Sequence, residues 1–296
     1  MSTTEPSSEP TTGAPAEPSE PFVLYSVKDG VATITLNRPN QLNPITHGPN
    51  SMQRSIVERL EQADADDEVG CVIVTGSGRA FSSGGDVVSG TPPQSGVDWY
   101  WFLSEEEVDN ERIRELRKPV IGAINGLCYG AAFIMATHFD MLIASRTARL
   151  GLIETRFGGT GAESLNYLVG AQWAKFLALS GELITATKAK EIGLVLEVVE
   201  PDQLLDRVQD LGRRIAAMPR ETMLINRRMI NVGMNMSGWK AQKEAGLAFN
   251  AAANSNAKEH TAWNGERFSD LMKQGFKHYK EVRDAPFKEP WLSDER

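Results

Sequence analysis

The sequence predicts an α/β fold in which a strand-rich core is followed by a helical region. Two short apolar segments, 22–27 and 31–36, flank Asp29-Gly30, a pair that favours a tight β-hairpin turn. Apolar, β-branched runs typical of buried strands recur at 70–75, 119–124 and 140–144. From Thr160 onward strand-like runs become rare and apolar residues recur mainly at helical spacing. We therefore expect a sheet-based core with helices collected in the second half of the chain.

The remaining elements follow from the same periodicities. Met52, Ile56 and Leu60 have helical spacing, and Pro201 and Pro219 stand where prolines commonly begin helices. The predicted helices are 46–63, about 105–117, 131–137, 162–169, 171–179, 186–192, 201–217, 219–232, 239–254 and 257–279. Two further strands are predicted at 148–152 and 194–199, and a loop at 87–98.

Composition and charge argue against several classes of protein. The 296 residues suffice for one large domain or a domain with a small appendage, and no apolar stretch has transmembrane length. The net charge of −8 argues against nucleic acid as a partner. Cys71 and Cys128 lack metal-ligand spacing, and no cluster of His, Cys, Asp and Glu predicts a metal site. His138 follows an apolar helix and is interpreted as a structural residue.

The first twenty residues differ from the rest of the chain. They are rich in Ser, Thr, Pro and Glu and poor in apolar residues, so segment 1–20 is predicted to be a disordered acidic tail. The segment has neither the basic start and apolar middle of a secretory signal nor the arginines of a mitochondrial presequence. A cytoplasmic protein is therefore expected.

Two glycine-rich turns are the most informative local feature. They are 81–86 (FSSGGD) and 125–132 (NGLCYGAA), and each follows an apolar run and leads into a segment that can be helical. Glycine has no Cβ, so it allows unusual backbone angles and the close approach of another group. Two such turns at the ends of neighbouring strands could aim two backbone N–H groups at one point and stabilise an oxyanion. The alternative interpretation is a pair of ordinary tight turns.

These motifs, with several others in order, resemble the crotonase (enoyl-CoA hydratase/isomerase) superfamily over about 22–287. The matching segments are 31–39 (VATITLNRP), 80–86 (AFSSGGD), 118–126 (KPVIGAING), 139–144 (FDMLIA), 179–182 (LSGE) and 189–195 (AKEIGLV). The resemblance implies a crotonase-like spiral of ββα units over 21–200 and a C-terminal helical region over 201–296 used for oligomerisation. It also implies a homotrimer or hexamer, with an acyl-CoA substrate in which coenzyme A is part of the substrate and no separate cofactor is needed.

The resemblance also assigns catalytic roles. The oxyanion donors would be the backbone N–H groups of Gly85 and Ala131, with Ala131 replacing a more usual glycine. Ala131 opens a predicted helix, where N–H groups lack partners. Glu154 aligns with the second catalytic glutamate of the hydratases, and its apolar neighbours would raise its pKa toward the working range. The alternative for Glu154 is a surface residue paired with Arg156.

The first hydratase glutamate has no counterpart, because Ile134 stands at its position. Hydration of a 2-enoyl thioester normally uses two carboxylates, whereas the single-glutamate pattern looks like that of the Δ3-Δ2-enoyl-CoA isomerases. Glu163 could restore a pair, although a first-turn residue that favours the helix dipole is the alternative. Asp86 is interpreted as a cap or turn residue, and 105–107 as the solvated start of a helix.

Substrate contacts are expected by the same resemblance. Coenzyme A would run beside Gln41, Leu42, Ser82 and Ser83, mostly against their backbones. Lys280, or the nearby Lys277, could reach the phosphates, although solvated helix lysines are the alternative. The aromatic run 99–102 (WYWF) would either wall the acyl pocket or seal a loop onto the core.

The sequence leaves several reactions open. Double-bond isomerisation with Glu154 as proton carrier is the leading interpretation. The alternatives are an enoyl-CoA hydratase with a non-standard second carboxylate, a CoA-ester hydrolase or carbon–carbon lyase, and a non-catalytic acyl-CoA-binding homologue. No Gly-x-Ser-x-Gly elbow or complete dinucleotide fingerprint is present, so serine hydrolase and nicotinamide chemistry are not predicted.

Overall fold

The computed structural model describes residues 21–86 and 93–292, so the predicted tail 1–20 lies outside the described residues. The strands are β1 (Val23–Lys28), β2 (Val31–Leu36), β3 (Cys71–Gly76), β4 (Ala80–Ser82), β5 (Val120–Ile124), β6 (Leu127–Tyr129), β7 (Met141–Ser145), β8 (Arg149–Gly151), β9 (Ile184–Thr185) and β10 (Glu197–Val199). The α-helices are α1 (Met52–Ala65), α2 (Gly96–Glu115), α3 (Ala131–Ala136), α4 (Leu165–Ser180), α5 (Ala186–Glu191), α6 (Leu204–Ala216), α7 (Arg220–Met236), α8 (Trp239–Ser255), α9 (Phe268–Lys273) and α10 (Phe276–Asp284).

The strands form two sheets. The larger has the order β1-β2-β3-β5-β7-β10 and is parallel except for the β1–β2 hairpin. The smaller has the order β4-β6-β8-β9 and is parallel except for the β8–β9 pair. From β3 to β8 successive strands therefore alternate between the sheets, and each pair β3–β4, β5–β6 and β7–β8 is followed by a helix before the chain returns. This arrangement confirms the predicted spiral of ββα units.

The core lies on both faces of the larger sheet. All six residues of β3 are buried, as expected for a parallel strand covered on both sides. Val72 and Val74 face the main apolar cluster, whereas Cys71 and Ile73 face a smaller cluster. Leu204 of α6 closes that smaller cluster from outside. Helix α6 therefore covers one face of the larger sheet, and the main apolar cluster covers the other face.

Helix α2 begins earlier than the sequence predicts. It starts at Gly96 rather than near residue 105, and a capping box between Ser95 and Asp98 fixes this start. The aromatic run 99–102 therefore lies in the first turns of a helix. Of the predicted loop 87–98, residues 87–92 lie outside the described residues.

The C-terminal region also departs from the prediction. The single helix predicted over 257–279 is wrong, because the chain forms a short 3-10 turn and then the separate helices α9 and α10. Gly265 and Gly275 adopt positive φ angles of 85° and 107°, which interrupt helical geometry. Gly170, with φ 73°, likewise divides α4 at the boundary that the sequence predicts.

Within the described ranges 21–86 and 93–292, no helix is long and apolar enough to cross a membrane.

Candidate active site

The two glycine-rich turns meet in space. After β4, Gly84 adopts φ 89°, and a methyl group built on it would lie 2.7 Å from the carbonyl oxygen of Tyr129. The same methyl group would lie 3.4 Å from the backbone nitrogen of Ala131, and one built on Gly85 would lie 3.9 Å from the Ala131 Cβ. Only a residue without Cβ fits at Gly84. Because Gly84 has no Cβ, the turn can approach α3 closely enough to place Gly85 beside the first turn of that helix.

Both predicted donors have N–H groups available to a ligand. Ala131 is the first residue of α3, so its N–H lacks a partner one turn earlier in the helix. The Gly85 N–H finds no acceptor among the described residues, although its neighbours are fixed: Ile45 donates to Gly84 O and Asp86 donates to Ile45 O, both at 2.8 Å. Two adjacent, preorganised N–H groups can stabilise an oxyanion.

Glu154 lies directly beside this pair. It begins a 3-10 turn after β8, and its Oε1 contacts the Cα side of Gly130, where any Cβ would overlap the carboxylate. Its Oε2 is buried without a hydrogen-bond partner. Arg156 does not pair with it but binds Gly181 O at 2.8 Å and Asp284 at 3.2 Å. The alternative of a surface Glu154–Arg156 pair is therefore wrong.

The environment of Glu154 favours its protonated form. Burial raises the pKa of its carboxyl group to about 8, and the negative charges of Glu106 and Glu163 act in the same direction. The positive charge of Arg283 acts against them. A carboxyl group with a pKa near neutrality can both accept and donate a proton under working conditions.

Ile134 lies where the resemblance would place a first glutamate. Its Cδ1 packs against Gly161, where a Cβ would approach it to 2.5 Å. A small cavity opens beside it, and Glu106 and Glu163 line that cavity. The missing carboxylate of α3 is thus matched by two carboxylates that come from other elements.

Glu106 was missed by the sequence interpretation. Segment 105–107 is not the solvated start of a helix, because it lies in the middle of α2. Glu105 is exposed, but Glu106 and Glu107 are half-buried and face inward. Burial, with the charge of Glu107 next in importance, raises the pKa of Glu106 to about 7. The signal was the helical spacing of Leu103, Glu106, Glu107 and Asn110, which share the face that lines the cavity.

Glu163 lies before α4 rather than inside its first turn. The helix begins at Leu165, and Glu163 packs its side chain against Gly246 of α8, where a Cβ would overlap Glu163 Cγ. Its carboxylate lines the cavity next to Ile134. The structure therefore brings Glu163 into the site without assigning it a proton-transfer role.

Next to the cavity lies a buried group of charges that the sequence did not predict. The ligand atoms of Glu107, Glu111 and His138 lie within 4.8 Å of one another, an arrangement that can hold a metal ion. However, Lys243 binds Glu107 at 2.9 Å and Arg114 binds Glu111 at 3.1 Å, so two cations already neutralise the carboxylates. Burial lowers the pKa of His138, whose Nδ1 lies 2.9 Å from Ile134 O. We interpret the cluster as the structural base of the cavity.

His47 is a further neighbour of the oxyanion turn that sequence reasoning did not select. Its Nε2 would lie 4.0 Å from a Cβ built on Gly85, and its ring packs edge-on against Phe102 with centroids 4.7 Å apart. Burial lowers the pKa of His47. Phe102 and the adjacent Leu103 therefore turn toward the site, whereas Trp101 is exposed.

Some of the residues that are predicted to contact coenzyme A lie next to one another. Ser83 N–H donates to Leu42 O at 2.9 Å, which holds the turn after β4 against the segment of Gln41 and Leu42. Ser82 is fully buried, and its Oγ accepts a hydrogen bond from Gly84 N–H at 3.1 Å. Lys280 is exposed on α10. Contact of these residues with coenzyme A stays a prediction.

Comparison with known proteins identifies relatives along nearly the whole described chain. A family model described as Enoyl-CoA hydratase/isomerase matches residues 26–290. The 1,2-epoxyphenylacetyl-CoA isomerase of Escherichia coli K12 is 36% identical over 67% of this chain and 77% of its own length. The short-chain-enoyl-CoA hydratase of Clostridium acetobutylicum is 32% identical over 78% and 87%. The crystal structure of an enoyl-CoA hydratase/isomerase from Xanthobacter autotrophicus Py2 superposes with a TM-score of 0.82 at 30% identity, covering 90% of this chain and 99% of that one.

Proposed function

The chain belongs to the enoyl-CoA hydratase/isomerase family, and from this premise we propose that it shifts a carbon–carbon double bond in an enoyl-CoA thioester. The thioester oxygen would accept hydrogen bonds from the N–H groups of Gly85 and Ala131. Removing either donor is expected to cost about 3–4 kcal/mol of transition-state stabilisation.

Glu154 is the proton carrier in this proposal. With the thioester oxygen held at Ala131, C2 of the acyl group lies one bond away from the carbonyl carbon and close to the carboxylate at Gly130. Glu154 takes a proton from C2 of a 3-enoyl thioester, and the electron pair delocalises over the oxygen, C2 and C4 as a dienolate. The proton then returns at C4, which leaves the double bond between C2 and C3.

One observation supports this assignment above the others. The Glu154 carboxylate is buried against Gly130 with an unpartnered Oε2, immediately before the oxyanion donor Ala131. A buried carboxylate without a partner is costly, so such a group is retained where it serves chemistry. The aliphatic Ile134 on the same helix excludes a second carboxylate from the position used in two-glutamate hydration.

The test uses a 3-enoyl-CoA and follows the ultraviolet absorbance of the conjugated 2-enoyl product. Glu154→Gln keeps the shape of the side chain but cannot accept a proton, so we expect kcat to fall by 10²–10⁴-fold. Glu105→Gln removes an exposed carboxylate of α2 and serves as the control, with unchanged kcat. Full activity in Glu154→Gln would contradict the assignment.

Hydration of a 2-enoyl-CoA is the second candidate. The observation that favours it is the cavity at Ile134, where Glu106 and Glu163 could hold a water molecule opposite Glu154. Conversion of 2-enoyl-CoA to a 3-hydroxyacyl product by the wild type would identify this reaction. Release of free coenzyme A would instead indicate hydrolysis, and tight binding without any product would indicate a binding protein.

Assembly into a homotrimer or hexamer in the cytoplasm is part of the proposal. Helix α7 exposes several large apolar side chains, and α8 exposes Phe249. The exposed apolar residues of α7 are Ile225, Met229, Ile230, Val232 and Met236. Exposed apolar patches of this kind are typical of interfaces between subunits.

A further inference from the structure

We propose that the carboxyl group of Glu106 on α2 is a second proton carrier of this site, which exchanges a proton with C4 of the acyl group while Glu154 exchanges one with C2. This inference rests on the double-bond isomerisation proposed above and deepens it. In place of a single glutamate that carries the proton from C2 to C4, two carboxyl groups act, one at each carbon.

The geometry of α3 sets the order of groups along the substrate. The oxyanion donor Ala131 and the neighbouring Glu154 mark the positions of the thioester carbonyl and of C2. Ile134 follows three residues later on the same helix, roughly 4.5 Å further along the helix axis. An acyl chain that leaves the oxyanion turn along α3 therefore passes Ile134 with C3 and C4. The cavity that opens at Ile134 has Glu106 in its wall.

Glu106 has no structural task that accounts for its burial. Within the part of the chain that the structure describes, it makes no hydrogen bond or ion pair, whereas its neighbour Glu107 binds Lys243 at 2.9 Å. Burial of a carboxyl group without such contacts costs free energy unless the group binds a ligand, a proton or water. This contrast between adjacent residues of one helix separates a structural carboxylate from one left free for the substrate.

The surrounding charges make proton exchange by Glu106 feasible near neutrality. Burial and the negative charges of Glu107, Asp109 and Glu163 raise its pKa to about 7, and Lys243 of α8 acts in the opposite direction. Burial raises the pKa of Glu154 to about 8, and the negative charge of Glu106 acts in the same direction. The two groups are electrostatically coupled, so loss of a proton by one favours its retention by the other.

The proposed step balances without any co-reactant. The Glu154 carboxylate takes a proton from C2, and the C–H electron pair forms the dienolate on the thioester oxygen. The Glu106 carboxylic acid gives its proton to C4, the double bond forms between C2 and C3, and the thioester carbonyl is restored. Glu154 is then protonated and Glu106 ionised, and exchange with water through the open cavity returns both groups to their starting forms.

The experiment follows the origin of the hydrogen at C4. A 3-enoyl-CoA that carries deuterium at C2 is converted in ordinary water, and mass spectrometry and NMR locate the label in the product. For the wild type we expect solvent hydrogen at C4, because Glu106 and Glu154 exchange protons separately. Glu106→Gln should lower kcat by 10²-fold or more. Its residual turnover should carry deuterium from C2 to C4 on Glu154 alone.

Two further variants separate chemistry from folding. Glu106→Asp keeps a carboxyl group, so it should retain solvent-derived hydrogen at C4 even with lowered kcat. Glu105→Gln, exposed on the same helix, should match the wild type in both rate and label. An unchanged rate and an unchanged label position in Glu106→Gln, with active wild type, would overturn the role of Glu106 alone. A wild type that does not isomerise 3-enoyl-CoA at all would overturn the proposed function itself.

Discussion

Gly130 offers the sharpest test of how the backbone positions the proton carrier. Gly130 adopts φ 56°, and any Cβ there would overlap Oε1 of Glu154. Gly130→Ala therefore has two separate costs. With φ 56° and ψ −130°, Gly130 adopts a backbone conformation that residues with Cβ rarely take, and its cost of about 1–3 kcal/mol corresponds to a fall in Tm of roughly 2–12 °C. The overlap must also push the carboxylate away from the oxyanion donors by about 1 Å, and a misplacement of that size lowers kcat by about 10²-fold.

A second glycine separates these two costs. Gly193, between α5 and β10, adopts φ 81° and has open space where its Cβ would lie. Gly193→Ala should therefore lose similar stability and keep the kcat of the wild type. The assay compares Tm by differential scanning fluorimetry with kcat on 3-enoyl-CoA for the two variants. Equal kcat values in Gly130→Ala and Gly193→Ala, at similar loss of Tm, would refute the placement of Glu154 at Gly130.

Further predictions concern pH and stability. Glu154 must be ionised to take a proton from C2, and Glu106 must be protonated to give one to C4, so kcat/KM on 3-enoyl-CoA should be bell-shaped, with its maximum between pH 7 and 8. The rising limb of that profile reports the pKa of Glu154, about 8. The negative charge of Glu163 raises that pKa, so the rise should move to lower pH in Glu163→Gln, as measured by a pH–rate profile, and an unmoved profile would contradict their coupling. Arg227 is buried and binds Asp140 at 2.8 Å, so Arg227→Met should lower the free energy of unfolding in urea by about 3–5 kcal/mol. The exposed Arg228→Met should stay within about 0.5 kcal/mol of the wild type, and an equal loss in both would contradict the importance of the buried pair.

Much of the sheet could be predicted from local pattern alone. Strands such as β3 and β5 are buried on both faces, so their residues form continuous apolar runs that no exposed element shows. The glycine-rich turns were equally readable, because close backbone approach at Gly84 demands the absence of Cβ. That the two turns meet at one point could be predicted only from the family resemblance, because no local sequence pattern indicates which strand ends are neighbours.

The parts that sequence missed depend on tertiary contacts. The orientation of Glu106 follows from the packing of α2 against α8, more than a hundred residues later in the chain, so its charge run looked like a solvated surface. The early start of α2 was hidden by the aromatic run 99–102, which has no clear helical periodicity by itself. The breaks at Gly265 and Gly275 follow from their positive φ angles, which apolar spacing alone does not reveal.

The late position of α8 in the chain has a consequence for biosynthesis. Its Lys243 holds Glu107, its Gly246 accommodates Glu163, and its Asn250 completes the cavity wall. A growing polypeptide that has left the ribosome only as far as α7 already contains the oxyanion turns and Glu154, but it lacks this wall. Nascent chains should therefore gain activity only after α8 emerges, so unfinished translation products would not act on thioesters prematurely.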